Sequence, residues 1–276
     1  MDFFIVSGGR FKLDGGSVFG IVPKPLWEKI RPADEHNRVD MNTNCLLVRT
    51  GSSHILIDTG YGNKMAEKNR RIYGMSGTTI VDSLAAIGVK AADIDLVILS
   101  HLHFDHAGGA TVSDLEGHLY PAFPEAKYVV QKGEWEDAIN GYATMTSSYL
   151  EENYAPLIDQ NMLTLLDGDV EVWDRIRVQI TGGHTRHHQM VLIESDEATV
   201  VYAGDILPMT THLRAAYNMA YDLFPYDSMI QKSRVLEQAA SEGWIIIWDH
   251  DPNVPAGRVY HEGEGRYRFE AVSFKA

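Results

Sequence analysis

The sequence predicts an α/β protein in which two mixed β-sheets pack face to face with helices on the outside. The first observation is the order of elements. Strand and helix patterns follow one another as strands, helix, strand, then helices, strands, helix, strand, so the chain has two similar halves. The second is that residue types that bind metals recur directly after predicted strand ends. Loops at one edge of the sheets would share these residues.

The first half is predicted to contain a hairpin, a helix and a strand. Apolar strands over 44–49 and 53–57 flank a short turn, as in a β-hairpin. Helical spacing over 79–87 ends at Gly88, a typical residue just past a helix C-terminus. An apolar strand is predicted over 93–99, and it leads directly into a segment rich in histidine.

The second half is predicted to alternate in the same way. Strands are expected at 127–131, 170–180, 190–194, 198–202 and 243–248, and helices at 132–143, 147–157 and 227–240. Residues 1–45 are expected to form an N-terminal strand and a loop that serves as a pocket wall or lid, because long ordered loops are usually functional. No linker or low-complexity tract divides the chain, so 1–276 is predicted to be a single domain.

The composition is that of an acidic globular protein. Of 276 residues, 45% are apolar and 22% are charged, and the formal net charge is −14. This charge disfavours nucleic acid and anionic membrane surfaces as partners. The one cysteine, Cys45, excludes a disulfide framework and a cysteine-based zinc finger. The N-terminus lacks a basic region and a long apolar run, so a cytoplasmic protein is expected.

A dense group of metal-binding side chains follows the strand at 93–99. Four strong ligands lie within six residues: His101, His103, Asp105 and His106. Side chains alternate along a strand, so His101 and His103 share one direction, and Asp105 continues it once the loop bends. His106 breaks the alternation and reaches a second point, which indicates two ions about 3.5–4 Å apart. The pair Gly108-Gly109 would supply the tight turn that the cluster needs.

Three later segments complete the ligand set, each after a predicted strand end. They are Gly183-His184, Ala203-Gly204-Asp205 and Trp248-Asp249-His250. Seven ligands then divide between two ions that Asp205 bridges: His101, His103 and His184 on one, and Asp105, His106 and His250 on the other. Nitrogen and oxygen ligands without thiolate suit zinc, and also manganese, iron or cobalt.

Some assignments near these ligands stay open at the level of sequence. His261 competes with His250 as the last ligand, although the strand before His250 is longer and more apolar. Histidine ligands usually have their second ring nitrogen held by a carboxylate or carbonyl. Asp58, at the end of a strand in the same half, is a candidate for that role. His188 is expected beside the metals rather than on them.

Taken together, these residues resemble the metallo-β-lactamase superfamily of binuclear hydrolases. The matching residues occur in the family's order: Asp58-Thr59-Gly60, the cluster from His101 to His106, Gly183-His184, Asp205 and His250. The resemblance implies the metallo-β-lactamase fold, an αββα sandwich with the metals at one edge of the sheets.

A finer resemblance, to quorum-quenching N-acyl-homoserine lactonases and related phosphotriesterases, rests on residues 19–27, 102–107 and 220–222. It implies a hydrolase in which a metal-bridging hydroxide opens a lactone ring. Asp105 and Asp205 would be catalytic, with Asp205 shuttling a proton to the leaving alkoxide. Phosphotriester or other ester hydrolysis is the alternative, and a non-hydrolytic metal-binding or redox protein is a third interpretation.

One position departs from the lactonase pattern. Pro208 stands where well-known homoserine lactonases carry a tyrosine, so Tyr217, Tyr221 or a water would have to replace that group. Large side chains near the metal-bearing positions predict a pocket wall for an acyl chain: Phe19, Trp27, Phe104, Tyr217 and Tyr221. The expected partner is a small-molecule lactone or ester, and a homodimer is one option for the assembly.

Overall fold

The structure, a computed structural model, describes residues 1–140 and 147–274. Its strands are β1 (Asp2–Asp14), β2 (Arg38–Thr50), β3 (Ser53–Ile57), β4 (Leu96–Ile98), β5 (Thr111–Ser113), β6 (Leu119–Pro121), β7 (Lys127–Gln131), β8 (Leu163–Leu166), β9 (Val170–Trp173), β10 (Ile176–Ile180), β11 (Gln189–Glu194), β12 (Thr199–Tyr202), β13 (Ile245–Ile247), β14 (Ala256–Gly263) and β15 (Arg266–Ala271). Its α-helices are α1 (Gly15–Phe19), α2 (Lys24–Trp27), α3 (Glu67–Ile72), α4 (Ile80–Ala86), α5 (Phe104–Ala107), α6 (Lys132–Asn140), α7 (Ala155–Asp159) and α8 (Pro225–Glu242). None of the described helices combines the length and apolar character needed to cross a lipid bilayer.

By their internal contacts, the described residues form two compact units. Unit 1 is built mainly from Met1–Arg10 and Thr43–Val170, and unit 2 from Phe11–Asn42 and Glu171–Ser273. The strands β3, β4, β7 and β8 belong to unit 1, and β10 to β15 belong to unit 2. Each unit therefore has strands of its own from which candidate ligands can extend.

The parallel strands of the first sheet bring two loops of unit 1 to one edge. This six-stranded sheet has the order β1-β2-β3-β4-β7-β8, and β3, β4 and β7 run parallel. Ile57 pairs in register with Ile98, so Asp58 and Ser100 leave the sheet at the same edge. All three residues of β4 are buried, which anchors the histidine-rich loop in the core.

The seven-stranded sheet has the order β15-β14-β13-β12-β11-β10-β9, and it brings two loops of unit 2 to one edge. Within it β12 and β13 run parallel, and Tyr202 pairs with Ile247. The segments that follow these two residues, 203–205 and 248–250, therefore leave the sheet side by side. They carry Asp205 and His250.

Helix α8 covers part of unit 2 with an apolar face. Pro225 is tolerated in its first turn, and Gly243 ends it in the left-handed conformation with φ of 68°. Leu236 and Ala239 are buried in a core cluster together with Trp248. This packing holds the residue two positions before His250.

Several predicted elements are confirmed. The strand at 127–131 is β7, and the helix predicted over 79–87 is α4. The side chain of Thr79 accepts a hydrogen bond from the backbone N–H of Asp82, and Gly88 follows the helix with φ of 79°. Local capping signals therefore located this helix correctly.

Two predicted elements are wrong. A 3₁₀ turn (Glu151–Asn153) and the short α7 replace the helix over 147–157, because Pro156 lacks an N–H and fits only the first turn. The strand over 170–180 is interrupted at Arg175, whose φ of 63° makes a turn between β9 and β10. Helix α6 covers the predicted 132–143 as far as Asn140, and the remaining three residues lie outside the described residues.

The segment 1–45 holds more regular structure than predicted. After β1 the chain forms α1 and α2, and β2 begins at Arg38 rather than at residue 44. Val39 and Met41 are buried while Asp40 is exposed, which is the alternation of a strand. The polar residues that follow Met41 break the apolar run and hid this extension from sequence analysis.

Candidate metal centre

The histidine-rich loop of unit 1 forms a buried cluster. Its four predicted ligands are nearly inaccessible to solvent: His101, His103, Asp105 and His106. The ring of His101 has its centroid 4.5 Å from that of His103 and 4.1 Å from that of His106. Beyond His103 the chain turns helical at Phe104, and α5 carries both Asp105 and His106. The predicted ligands of this loop nevertheless lie together.

The two glycines behind the cluster serve close packing rather than a special turn. Neither is among the residues with positive φ. A Cβ on Gly108 would lie 2.5 Å from the carbonyl oxygen of Tyr61, and one on Gly109 would lie 2.1 Å from that of Thr59. Backbone contact with the segment after β3 therefore requires glycine at both positions, which corrects the tight-turn interpretation.

Asp58 orients one of the ligands in unit 1. Its Oδ2 lies 2.7 Å from Nδ1 of His106. Ser100 donates to both carboxylate oxygens, from its backbone N–H to Oδ1 and from its hydroxyl to Oδ2, each at 2.7 Å. This arrangement leaves Nε2 of His106 as the nitrogen that can bind a metal. It places Asp58 where sequence analysis expected a group that holds the second ring nitrogen.

Two supporting residues of this loop carried no sequence signal. The buried carboxylate of Glu134 accepts hydrogen bonds from the backbone N–H of Leu102 at 3.1 Å and from the hydroxyl of Tyr149 at 2.7 Å. The ring of Tyr149 in turn packs edge-on against His103, with centroids 5.0 Å apart. Both residues therefore brace the loop, although neither lies in a recognisable motif.

In unit 2, Asp205 lies between two histidines. Its Oδ2 is 2.9 Å from Nε2 of His184, and its Oδ1 is 2.9 Å from Nε2 of His250. Each oxygen of one carboxylate thus faces the metal-binding nitrogen of a different imidazole. This arrangement is compatible with a carboxylate that bridges two ions.

The far side of each of these imidazoles is also occupied. Nδ1 of His184 lies 2.8 Å from Oδ1 of Asp222, and Nδ1 of His250 lies 2.8 Å from the carbonyl oxygen of Asn42. Burial alone would lower the pKa of His184, but Asp205 and Asp222 outweigh it and raise this pKa to about 10. The surroundings therefore favour positive charge at His184, which a proton or a metal ion can supply.

His188 supports Asp205 from behind. Its Nε2 accepts a hydrogen bond from the backbone N–H of Asp205 at 3.1 Å, and its Nδ1 lies 2.6 Å from the hydroxyl of Thr181. Both ring nitrogens are engaged in these contacts, so His188 lies next to Asp205, a predicted ligand, and its ring nitrogens face other groups.

The two candidates for the last ligand lie in different surroundings. His250 is buried and faces Asp205, whereas His261 is exposed on β14. The ring of His261 packs edge-on against Tyr267, and its Nδ1 accepts from the backbone N–H of Gly263. A further carboxylate, Asp249, stands beside His250, with its Oδ2 3.6 Å from Nε2.

The donor chemistry of both clusters fits divalent metal ions. The ligand side chains are buried, where charged and polar groups need partners. Oxygen atoms hold Nδ1 of His106, His184 and His250, so Nε2 of each ring is the available donor, as is usual for histidine ligands. Imidazole and carboxylate donors suit zinc, manganese, iron and cobalt alike.

The residues predicted to line a substrate pocket lie in two different surroundings. In unit 2, Phe19 stacks between Trp27 and His212, with centroids 5.3 and 5.2 Å away, and all three side chains are buried. Tyr217 packs edge-on against Phe19, and the ring of half-buried Tyr221 lies 6.0 Å from that of His184.

In unit 1, Phe104 stacks on Tyr73 with ring centroids 5.5 Å apart. Tyr73 is half-buried, and burial and the charge of Asp105 raise its pKa. It is an aromatic neighbour of the cluster that sequence analysis did not identify. Of the two tyrosines proposed to replace the group at Pro208, Tyr221 is the one that contacts a predicted ligand directly.

Comparison with known proteins relates this chain to metal-dependent hydrolases. Residues 38–250 match the model of the family described as the Metallo-beta-lactamase superfamily. An N-acyl homoserine lactonase of Bacillus cereus is 28% identical over 262 residues, which cover 90% of this chain and 92% of the lactonase.

Solved structures show the same relationship. The crystal structure of a probable metal-dependent hydrolase from Staphylococcus aureus is 33% identical and has a TM-score of 0.89, covering 99% of this chain and 98% of its own. A structure of an N-acyl homoserine lactone hydrolase with the product N-hexanoyl-L-homoserine bound at the catalytic metal centre is 25% identical. It has a TM-score of 0.69 over 91% of this chain and 95% of its own.

Proposed function

Since this chain belongs to the metallo-β-lactamase superfamily, we propose that it is a lactonase whose substrates are N-acyl-homoserine lactones. Membership confirms two coarser predictions, the fold class of an αββα sandwich and a metal-dependent hydrolase. The substrate is the proposed part. It is supported by a lactonase relative that matches nine-tenths of the chain and by a related structure that holds a lactone hydrolysis product.

The proposed cofactor is a pair of divalent metal ions, with zinc as the first candidate. The seven ligands predicted from the sequence would hold them: His101, His103, Asp105, His106, His184, Asp205 and His250. The observation that carries this proposal is Asp205, whose two oxygens each face Nε2 of a different histidine. A single ion would not need a carboxylate placed in this way.

When bound, such a pair of ions lowers the pKa of a water molecule and polarises an ester carbonyl. The chain's own residues have to hold the geometry and move protons. Asp58, Asp222 and the carbonyl of Asn42 orient three imidazoles through Nδ1. The sequence-based proposal that Asp205 carries a proton to the leaving alkoxide would require an oxygen lone pair that the ions do not use.

Pro208 lacks the phenol of the tyrosine that well-known homoserine lactonases carry at this position. It contributes to the site through its backbone. Its carbonyl oxygen accepts the backbone N–H of His250 at 3.0 Å. Lactone recognition would then rest on Tyr221, which packs against His184, and on the half-buried Tyr217. Phe19 and Trp27, predicted from the sequence as pocket residues, are buried and would support Tyr217 from behind. The absence of a tyrosine at position 208 would not prevent hydrolysis. It would change only which residues contact the substrate.

A substrate panel on the metal-loaded protein tests the proposal. The panel contains N-acyl-homoserine lactones, simple lactones, phosphotriesters and β-lactams, with Asp205→Ala as the inactive variant and His261→Ala as the matched control. We expect the acylated lactones to have the highest kcat/KM, and Asp205→Ala to lose this activity together with metal. Faster hydrolysis of phosphotriesters would support the alternative, and activity of Asp205→Ala with both metals retained would exclude the bridging role.

A further inference from the structure

A second carboxylate stands on the metal-facing side of His250. Asp249 directly precedes this histidine after β13, and each of the two residues is 1% exposed. Nε2 of His250 is the nitrogen left for a metal, because Nδ1 lies against the carbonyl oxygen of Asn42. Oδ2 of Asp249 lies 3.6 Å from that Nε2. The aspartate and the imidazole therefore present their donor atoms to the same small volume.

Asp205 offers a third donor to this volume. Ligand atoms of Asp205, Asp249 and His250, one from each residue, lie within 4.8 Å of one another. Metal–ligand bonds of about 2.1 Å at tetrahedral angles separate neighbouring donors by about 3.4 Å. The observed separations from Nε2 of His250, 2.9 Å to Asp205 and 3.6 Å to Asp249, lie on either side of that value.

The nearby Asp251 shows what a structural carboxylate in this turn looks like. It is equally buried, but its oxygens accept hydrogen bonds from Thr210 and from the backbone N–H groups of Asn253 and Val254. Those contacts tie the turn after His250 to its surroundings. Asp249 instead directs an oxygen at a ring nitrogen that the proposed metal centre uses.

We propose that Asp249 is an additional metal ligand, bound to the same ion as His250 and Asp205. The inference rests on the proposed function, because it assumes the binuclear centre. One more anionic oxygen donor makes this site harder, and hard oxygen ligands favour manganese and similar ions relative to zinc. Asp249 would then influence which metal ion binds most tightly at the site formed with His250 and Asp205.

Metal titration of the full chain tests this assignment without measuring activity. The protein is stripped with a chelator and titrated separately with Zn²⁺ and Mn²⁺, and the bound ions are counted by elemental analysis. We expect two ions in the wild type. We expect Asp249→Asn to bind the second ion at least tenfold more weakly, with a larger loss for Mn²⁺ than for Zn²⁺. Asp227→Asn, which removes an exposed carboxylate of the same unit, should behave as wild type.

Cobalt substitution provides a second measurement, and the visible spectrum of the wild-type protein is enough to test the assignment. The proposed centre already gives this ion four protein ligands and the bridging hydroxide. Asp249 should therefore produce the weak visible bands of six-coordinate Co²⁺, and Asp249→Asn should produce the stronger bands of a five-coordinate ion. A wild-type spectrum without the bands of six-coordinate Co²⁺ would overturn the assignment, even if Asp249→Asn did not fold. Wild-type affinity in Asp249→Asn, or a wild type that does not bind two ions, would also overturn it.

These outcomes separate the inference from the lactonase proposal. A wild type that binds two ions in an Asp249-dependent manner but hydrolyses no lactone would refute the proposed substrate and leave the ligand assignment standing. A lactonase whose metal binding is unaffected by Asp249→Asn would refute the ligand assignment alone.

Discussion

Oδ1 of Asp222 lies 2.8 Å from Nδ1 of His184 and orients that imidazole toward Asp205. Oδ2 of Asp58 stands in the same relation to Nδ1 of His106 in unit 1, at 2.7 Å. Both carboxylates are buried, so each hydrogen bond is shielded from water. Each unit thus positions one predicted metal ligand by the same device, a carboxylate on the ring nitrogen opposite the metal.

Asp222→Asn should weaken metal binding by about 10- to 100-fold, the usual effect of removing such an outer carboxylate. The amide occupies the same space but loses the charge that favours a cation at His184. The measurement is metal affinity by competition with a chelator, with far-UV circular dichroism to show that the fold is retained. Asp227→Asn is the exposed control, and wild-type affinity in Asp222→Asn would contradict the positioning role.

His250→Ala should lose one of two bound ions, whereas His261→Ala should lose none. His250 is buried with its Nε2 directed at Asp205, and His261 is exposed on β14. Elemental analysis of both variants, purified and loaded in parallel, counts the ions. Loss of an ion in His261→Ala but not in His250→Ala would show that His261 is the last ligand.

A buried lysine in α8 should contribute a rise in stability with pH between about 8 and 10, opposite in sign to the contribution of His184. Lys232 is 2% exposed and donates to Oδ1 of Asn218, and burial lowers its pKa to about 8 although the charge of Asp222 opposes this. Below pH 8 the folded and unfolded states both hold the proton, and the cost of burying the charge is fully present. Above that pH only the unfolded chain holds it, up to about 10.4, so stability increases with pH.

Lys232→Met should therefore reduce the pH dependence of unfolding by urea. The rise attributable to this residue is up to about 3 kcal/mol over two pH units. Lys64 has a pKa lowered to about 8 by burial, so part of the rise will remain in the variant. Lys29→Met is the exposed control. Equal slopes in Lys232→Met and in the wild type would show that this ammonium is not responsible.

Lactones with longer acyl chains should show lower KM until the pocket is full. Each methylene buried contributes about 0.8 kcal/mol, which corresponds to a decrease in KM of up to a few-fold. Values of kcat should change little, because contacts with the chain are similar in the ground and transition states. Steady-state kinetics across a homologous series measures both constants. A KM that does not change with chain length, or a preference for small unsubstituted esters, would contradict the prediction of a pocket that binds the acyl chain.

Local patterns in the sequence were enough to identify the candidate ligands and many of the elements. A strand signal followed by His101, His103, Asp105 and His106 is contained in one short segment, and so is the capping of α4 by Thr79. The errors were also local in origin. Pro156 interrupts an apparently helical pattern, and the turn at Arg175 has no residue type that indicates a positive φ.

The tertiary structure alone decided which groups support those ligands. Asn42 holds His250 through a backbone carbonyl from 208 residues away, and any residue type could supply that oxygen. Glu134, Asp222 and Asp249 are ordinary acidic residues in the sequence, and their contacts come from the neighbours that folding places around them. The chemistry of a ligand depends on its residue type, so the sequence determined it. The orientation of each ligand depends on hydrogen bonds between distant segments, so only the folded chain determines it.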